Sequence, residues 1–240
     1  MRVLDSGSIR RSIDDLGLRE DDRKRFDSII DHSFGMMLVT GPTGSGKTTT
    51  LYTALGAIDS ESRSVFTLED PIEYSMANVR QVQVKPDLGL DFATGLRSLL
   101  RQDPDVILVG EIRDQETAEL ATRAALTGHM VFSTLHTNSA VGIIPRLLDM
   151  GVDRYLLPSA LVGAVGQRLV RRLCPQCKTT KPGLDRIYGE YPDVAPSTSE
   201  SWIPVGCPAC SNTGYKGRMA VYEVLELDET FHDAIIDGGA

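Results

Sequence analysis

Eight consecutive residues, Gly41-Pro42-Thr43-Gly44-Ser45-Gly46-Lys47-Thr48, fill every fixed position of the pattern G-x-x-x-x-G-K-[ST]. Such a loop is useful only where a buried strand hands the chain to a helix, and the flanks supply that context. Met36-Met37-Leu38-Val39-Thr40 is a short apolar run, as a parallel strand buried on both faces must be, and the residues from Thr48 through Thr49 and Thr50 to Leu55 can open a helix. Glycines at these positions let backbone N–H groups turn inward around phosphate oxygens, and the helix N-terminus adds its partial positive charge. Lys47 is then placed to reach the outer phosphates and Thr48 to offer a hydroxyl to magnesium. A glycine-rich turn without a ligand is the bland alternative, and the match of motif and context weighs against it.

Composition sets the outer bounds. With 240 residues, 41% of them hydrophobic, the chain can fold one ordinary core and a small appendage, burying about 70–75% of its unfolded surface. A formal net charge of −8 argues against a polyanion as the main partner, so no nucleic acid is expected. No apolar run approaches the ~20 residues of a membrane span, and Met1-Arg2-Val3-Leu4-Asp5 does not open a signal peptide. The chain therefore reads as soluble and cytoplasmic. All 4 cysteines fall in two C-x-x-C pairs in the last third, which suits a metal site in a reducing compartment better than a disulfide framework.

Residues 1–33 are polar with scattered apolar positions, among them Ile9, Ile13, Leu16, Leu18, Phe26, Ile29 and Ile30, and read as one or two short surface helices forming the remnant of an upstream domain. From residue 34 onward short apolar runs alternate with helical stretches, the signature of a parallel sheet with crossover helices. The main runs are Met36 to Thr40, Ser64 to Leu68, Asp105 to Val109 and Met130 to Leu135; Val79 to Val84 alternates and reads as a hairpin or edge strand. The four runs end at Thr40, Glu69, Glu111 (one step past Gly110) and His136, and ligands of open α/β sheets lie beyond the carboxyl ends of the strands. These residues should therefore converge on the glycine loop. Residues 141 to 173 read as two helices, Val141 to Met150 and Pro158 to Leu173, carrying Arg146, Arg154, Arg168, Arg171 and Arg172. Four units follow: a remnant over 1–33, a nucleotide-binding core over 34–173, a metal-binding subdomain over 174–220 with a loop between Pro182 and Ser201, and the start of a C-terminal helical segment over 221–240.

Hydrolysis of a γ-phosphate needs magnesium, a group that positions the attacking water, a polar sensor and often an arginine from a neighbour. Val106-Ile107-Leu108-Val109-Gly110-Glu111 is a buried strand ending in an acid that can bind magnesium directly or through water. Glu69, leaving a strand at the same sheet edge, is the reading for the base that orients water, with Asp70 and Glu73 as solvated neighbours around Pro71. His129 and His136 bracket one strand, so they cannot both point at one phosphate from the same strand end; His136 is the sensor, and a backbone-satisfied histidine is the rival for His129. An arginine finger at Arg146, worth about 10³–10⁵ in rate, would demand an adjacent subunit.

The pairs Cys174-Pro175-Gln176-Cys177 and Cys207-Pro208-Ala209-Cys210 each present two thiolates. Four sulfurs suit tetrahedral zinc in a closed structural site, worth about 10–16 kcal/mol in zinc-finger peptides. The 29 residues between the pairs exceed the usual ribbon spacing, which keeps iron or a redox dithiol open.

Taken together, Gly41 through Thr49, Leu68-Glu69-Asp70-Pro71-Ile72-Glu73-Tyr74, Arg101-Gln102-Asp103-Pro104-Asp105 leading to Gly110-Glu111-Ile112-Arg113-Asp114, and Thr127-Gly128-His129 through His136-Thr137-Asn138 resemble the Walker A, Asp box, Walker B and His box of the secretion ATPase superfamily. The cysteine pairs after the core further resemble its type II secretion and type IV pilus assembly branch. The resemblance implies a RecA-like P-loop fold with a small tetracysteine zinc subdomain, using ATP, Mg²⁺ and Zn²⁺. It implies a hexameric motor at the cytoplasmic face of the inner membrane that works on membrane platform and adaptor proteins. Glu69 then matches the catalytic glutamate, Glu111 the Walker B acid, and His129 and His136 the two His-box histidines, with Arg101 and Arg146 reaching nucleotide across subunits. Two other readings stay open: a nucleotide-gated interaction module that binds without turnover, and a nucleic-acid translocase on the same fold.

Overall fold

The computed structural model describes residues 12–182 and 200–237. The expected apolar position Ile9 and most of the expected loop between Pro182 and Ser201 lie outside them. The chain divides into two compact units, one taking the residues up to Arg168 and again from Ala220, the other Leu169–Met219.

The first unit is built on seven strands: β1 (Gly35–Thr40), β2 (Val65–Glu69), β3 (Val79–Gln83), β4 (Val106–Val109), β5 (Met130–Leu135), β6 (Leu161–Leu173) and β9 (Tyr215–Glu226), the last two continuing into the second unit. They form one sheet of order β3-β2-β4-β5-β1-β6-β9. From β3 to β6 the neighbours pair in parallel. The amide of Leu227 donates to the carbonyl of Val162 while a Cβ on Gly166 would touch Glu223, so β9 runs back along β6. β1, β2, β4 and β5 are buried along their whole length, as strands covered on both faces must be.

Alternation along each strand sorts side chains into two apolar layers. Met37, Val39, Val106, Leu108 and Phe132 pack with α1 (Glu20–Ile30) and α2 (Lys47–Ala57) through Phe26, Ile29, Leu51 and Leu55. Met36, Leu38, Ile107, Val109 and Val131 face the other way, toward α3 (Phe92–Leu99), α4 (Gln115–Leu126), α5 (Ile143–Asp149), the short α6 (Leu157–Ala160) and α7 (Glu229–Asp237). The expected surface helix before residue 33 is thus α1, which contributes Phe26, Ile29 and Ile30 to the core. β3 is an edge strand, and because it pairs parallel to β2 it is not half of a hairpin.

One expected element has the wrong type. The second helix expected between Pro158 and Leu173 ends at Ala160, and Leu161–Leu173 is the strand β6. Glycine inside a helix costs about 1 kcal/mol relative to alanine, and this run contains Gly163 and Gly166 between Val162 and Gln167. Here Gly163 is required by packing: a Cβ there would sit 2.5–2.7 Å from three carbon atoms of Ile29. The first helix of the pair is present but shorter, as α5.

In the second unit, β7 (Thr179–Pro182) and β8 (Glu200–Ile203) pair antiparallel, and the four cysteines lie in the turns beside them. Arg171 stacks over the Tyr215 ring at 4.0 Å and Lys178 over Trp202 at 4.4 Å.

Candidate nucleotide site and metal centre

β1 ends at Thr40, the loop 41–46 follows, and α2 opens at Lys47 with Gly46 left-handed at its N-cap. Gly44 has φ +77 and a Cβ there would meet nothing within 4 Å, so its backbone faces open space, as a surface approached by phosphate must. The buried hydroxyl of Ser45 has no hydrogen-bond partner. Lys47 folds back to donate to the carbonyls of Gly41 (2.9 Å) and Pro42 (3.3 Å). Burial lowers its pKa, opposed by the charge of Glu111. An open glycine, an orphaned hydroxyl and an ammonium at a helix N-terminus fit a triphosphate.

The neighbouring strands bring the acids to the same edge. β2 and β4 are adjacent, and a Cβ on Gly110 would lie 3.5 Å from the Cα of Glu69, so Glu69 and Glu111 leave the sheet side by side. Glu111, with 15% of its side chain exposed, pairs with Arg113 and lies 3.6 Å from Nε2 of His136, whose side chain is 52% exposed. The His136 segment is tied to β1 through Thr40, whose Oγ1 accepts from the Thr137 amide at 2.7 Å. Thr134 donates to the carbonyl of Gly110 at 2.8 Å, joining β5 to the turn before Glu111.

Glu69 is only 4% exposed. Its carboxylate accepts from Tyr52, from Thr67 at 2.5 Å and from Gln81 at 3.1 Å. Burial first, and the Glu69 carboxylate second, push the Tyr52 phenol far above its ordinary range, so it stays a donor. Tyr74 meets Tyr52 edge-on at 4.4 Å, and Gln81 also holds the carbonyl of Tyr74 and the amide of Met76. Sequence reasoning missed Tyr52, Thr67 and Gln81; the alternation Thr67-Leu68-Glu69 was the one available signal, since it puts Thr67 and Glu69 on one face of β2.

The remaining expected residues are dispersed. His129 precedes β5 and so lies at the strand end opposite His136, with Nδ1 2.9 Å from the Ala124 carbonyl. Arg146 on α5 and Arg101 after α3 are exposed and, among the described residues, form no ion pair.

Cys174, Cys177, Cys207 and Cys210 place their sulfurs within 4.8 Å of one another, with separations of 3.8–3.9 Å between the nearest. A tetrahedral zinc with Zn–S of about 2.3 Å has S···S edges of about 3.8 Å, so the donor set fits. Desolvation raises the Cys177 thiol to about 11. Desolvation acts upward on Cys210 too, but the amides of Cys207 and Gly214, each 3.2 Å from its sulfur, outweigh it and bring the thiol to about 6.

Comparison with known proteins places the chain in a family. The model of the family described as type II/IV secretion system protein matches residues 1–239. Type II secretion system protein E of Pectobacterium carotovorum subsp. carotovorum is 49% identical over 235 residues, covering 98% of this chain and 47% of that protein. The type IV pilus assembly ATPase PilB of Myxococcus xanthus (strain DK1622) is 46% identical over 243 residues, covering 100% of this chain and 43% of that one. The chain thus spans about half the length of these relatives. Among solved structures, the pilus retraction motor PilT with bound ADP superposes with a TM-score of 0.70 at 33% identity, over 95% of this chain and 56% of that one. The ATPase DotB of Legionella pneumophila superposes with a TM-score of 0.67 at 26% identity, over 95% and 54%.

Proposed function

Because the chain belongs to the type II/IV secretion system protein family, we propose that it is the ATP-hydrolysing part of a motor subunit that powers assembly of a secretion pseudopilus or a type IV pilus. The observation that carries this reading is the convergence of Glu69, Glu111 and His136 on the edge of the sheet where the glycine loop begins. Backbone amides of residues 41–49 and Lys47 would bind the phosphates, and Thr48 with Glu111 would hold magnesium, which neutralises charge on the β- and γ-phosphates. Glu69 would take the proton of the attacking water, and His136, beside Glu111, would contact the γ-phosphate.

Arginines from a neighbouring subunit would complete such a site, and Arg101 and Arg146, both exposed, are assigned that role from their place in the motifs. A homo-hexamer docked on inner-membrane platform and adaptor proteins, at the cytoplasmic face, is the assembly this reading requires. Among the described residues no helix is long and apolar enough to cross a membrane. The tetracysteine cluster would hold zinc in a closed structural role.

A second reading is favoured by the state of Glu69 itself. A buried carboxylate that already accepts three hydrogen bonds has less capacity to accept from water, as in a module that binds ATP to reshape a docking surface without turning it over. Steady-state ATP turnover per subunit, measured over a wide range of protein concentration with Lys47→Ala as the blank, separates the two. A motor completed by its neighbours gains specific activity with concentration and loses it in Glu69→Gln while still binding ATP. Turnover that stays at the blank at every concentration, with tight ATP binding, favours the binding module.

A further inference from the structure

Strand register brings one more polar residue to the glycine loop from far along the chain. Thr40 pairs with Gly166 across β1 and β6, so the next residue of β6, Gln167, comes to lie beside Gly41. Gln167 is 4% exposed and makes two side-chain hydrogen bonds: its Oε1 accepts from Thr50 Oγ1 at 2.7 Å, and its Nε2 donates to the Ser45 carbonyl at 2.8 Å. The loop glycines divide around it. A Cβ on Gly41 would collide with the Gln167 carbonyl oxygen and one on Gly46 would sit 2.9 Å from its Nε2, whereas Gly44 is open. Two of the three glycines are thus packed against Gln167, and the third is left facing the space a phosphate would enter.

We propose that Gln167 is a positioning residue for nucleotide binding, the rigid backing against which the phosphate loop is shaped; the proposal rests on the nucleotide-binding reading above. A trans peptide is planar, with its C=O and N–H directed oppositely. Holding the Ser45 carbonyl toward β6 therefore aims the Gly46 N–H away from β6. The Thr50 bond anchors the first turn of α2, where the Thr50 amide also bonds the Gly46 carbonyl at 3.1 Å. Gln167 touches no phosphate in this arrangement; it removes the freedom that the loop would otherwise lose on binding, which is preorganisation.

The competing account is a satisfied core glutamine whose loss lowers stability alone. Gln167→Met keeps the volume and removes both hydrogen bonds. In the full chain with its metal retained, the dissociation constant for ATP, KM, kcat at saturating ATP and the melting temperature without nucleotide should be measured together. We expect ATP affinity to weaken about tenfold, as loss of two hydrogen bonds implies, with the loss appearing in KM and kcat changing little. A lowered melting temperature with wild-type ATP affinity below it overturns the proposal. Should Gln167→Met fail to fold, Thr50→Val loosens the same side chain from one end: about a threefold loss of ATP affinity supports the proposal, and no change overturns it. Lys47→Ala is the control. If the wild-type chain itself binds no ATP, the nucleotide reading fails; if it binds and Lys47→Ala does not, a wild-type result for Gln167→Met sinks this inference alone.

Discussion

At the scale of single residues, the buried Glu69 carboxylate accepts a hydrogen bond from the Tyr52 phenol. Tyr52 comes from the helix that begins at Lys47, so the proposed base is bonded to the element that carries the phosphate loop. Because the folded state raises the phenol pKa above its unfolded value of 10.0, the unfolded chain loses that proton first as pH rises. The contribution is fully present below pH 10 and is lost above it, with a slope approaching about 1.4 kcal/mol per pH unit. Urea unfolding of wild type and Tyr52→Phe between pH 8 and roughly 11 checks this: the mutant should be less stable by about 1–3 kcal/mol at about pH 8 and should approach wild type as pH rises above about 10. Equal pH slopes would count against the assignment. Glu69 and Glu111 were legible in the sequence because each ends an apolar strand, and the loop because its residues are contiguous. Tyr52, Gln81 and Gln167 were not, because their partners are set by which strands and helices become neighbours.

At the scale of elements, β6 is the decisive misfit between pattern and structure. Its apolar residues and arginines can be laid on a helical face, but the strand is selected by the parallel register with β1 and by the lack of room over Gly163. Gly163→Val should therefore destabilise the chain by about 1–3 kcal/mol through overpacking against Ile29. Shortening the opposing side chain in Gly163→Val/Ile29→Ala should return part of that loss, read as a non-additive pair in urea titrations. The four central strands were legible from short apolar runs bounded by polar ends, because burial on both faces removes the need for alternation. β3 showed its exposure through alternation but not its direction, which depends on the path the chain takes between Glu69 and Val79.

At the scale of the whole molecule, chemistry is divided between the units: residues 41–49, Glu69, Glu111, His136 and Gln167 lie in the first, all four cysteines in the second. Metal analysis should give one zinc per chain, released when a mercurial titrates the thiols, and Cys177→Ser should fall well below that ratio. The same variant should bind ATP with unchanged affinity, because the hydrogen bonds described for the phosphate loop are made within the first unit; a parallel loss of both would join the two functions. The chain leaves the first unit along β6 and returns along β9, its antiparallel neighbour in the same sheet. In architectural terms the second unit is therefore spliced into a hairpin. Neighbouring strands stand about 4.8 Å apart, and that register sets Arg168 opposite Val221, so a two-residue Asn-Gly turn joining these two residues could span the cut without stretching either strand. The metal-binding segment is thus an insertion at one point of the sheet's strand path, entering and leaving through a single strand pair.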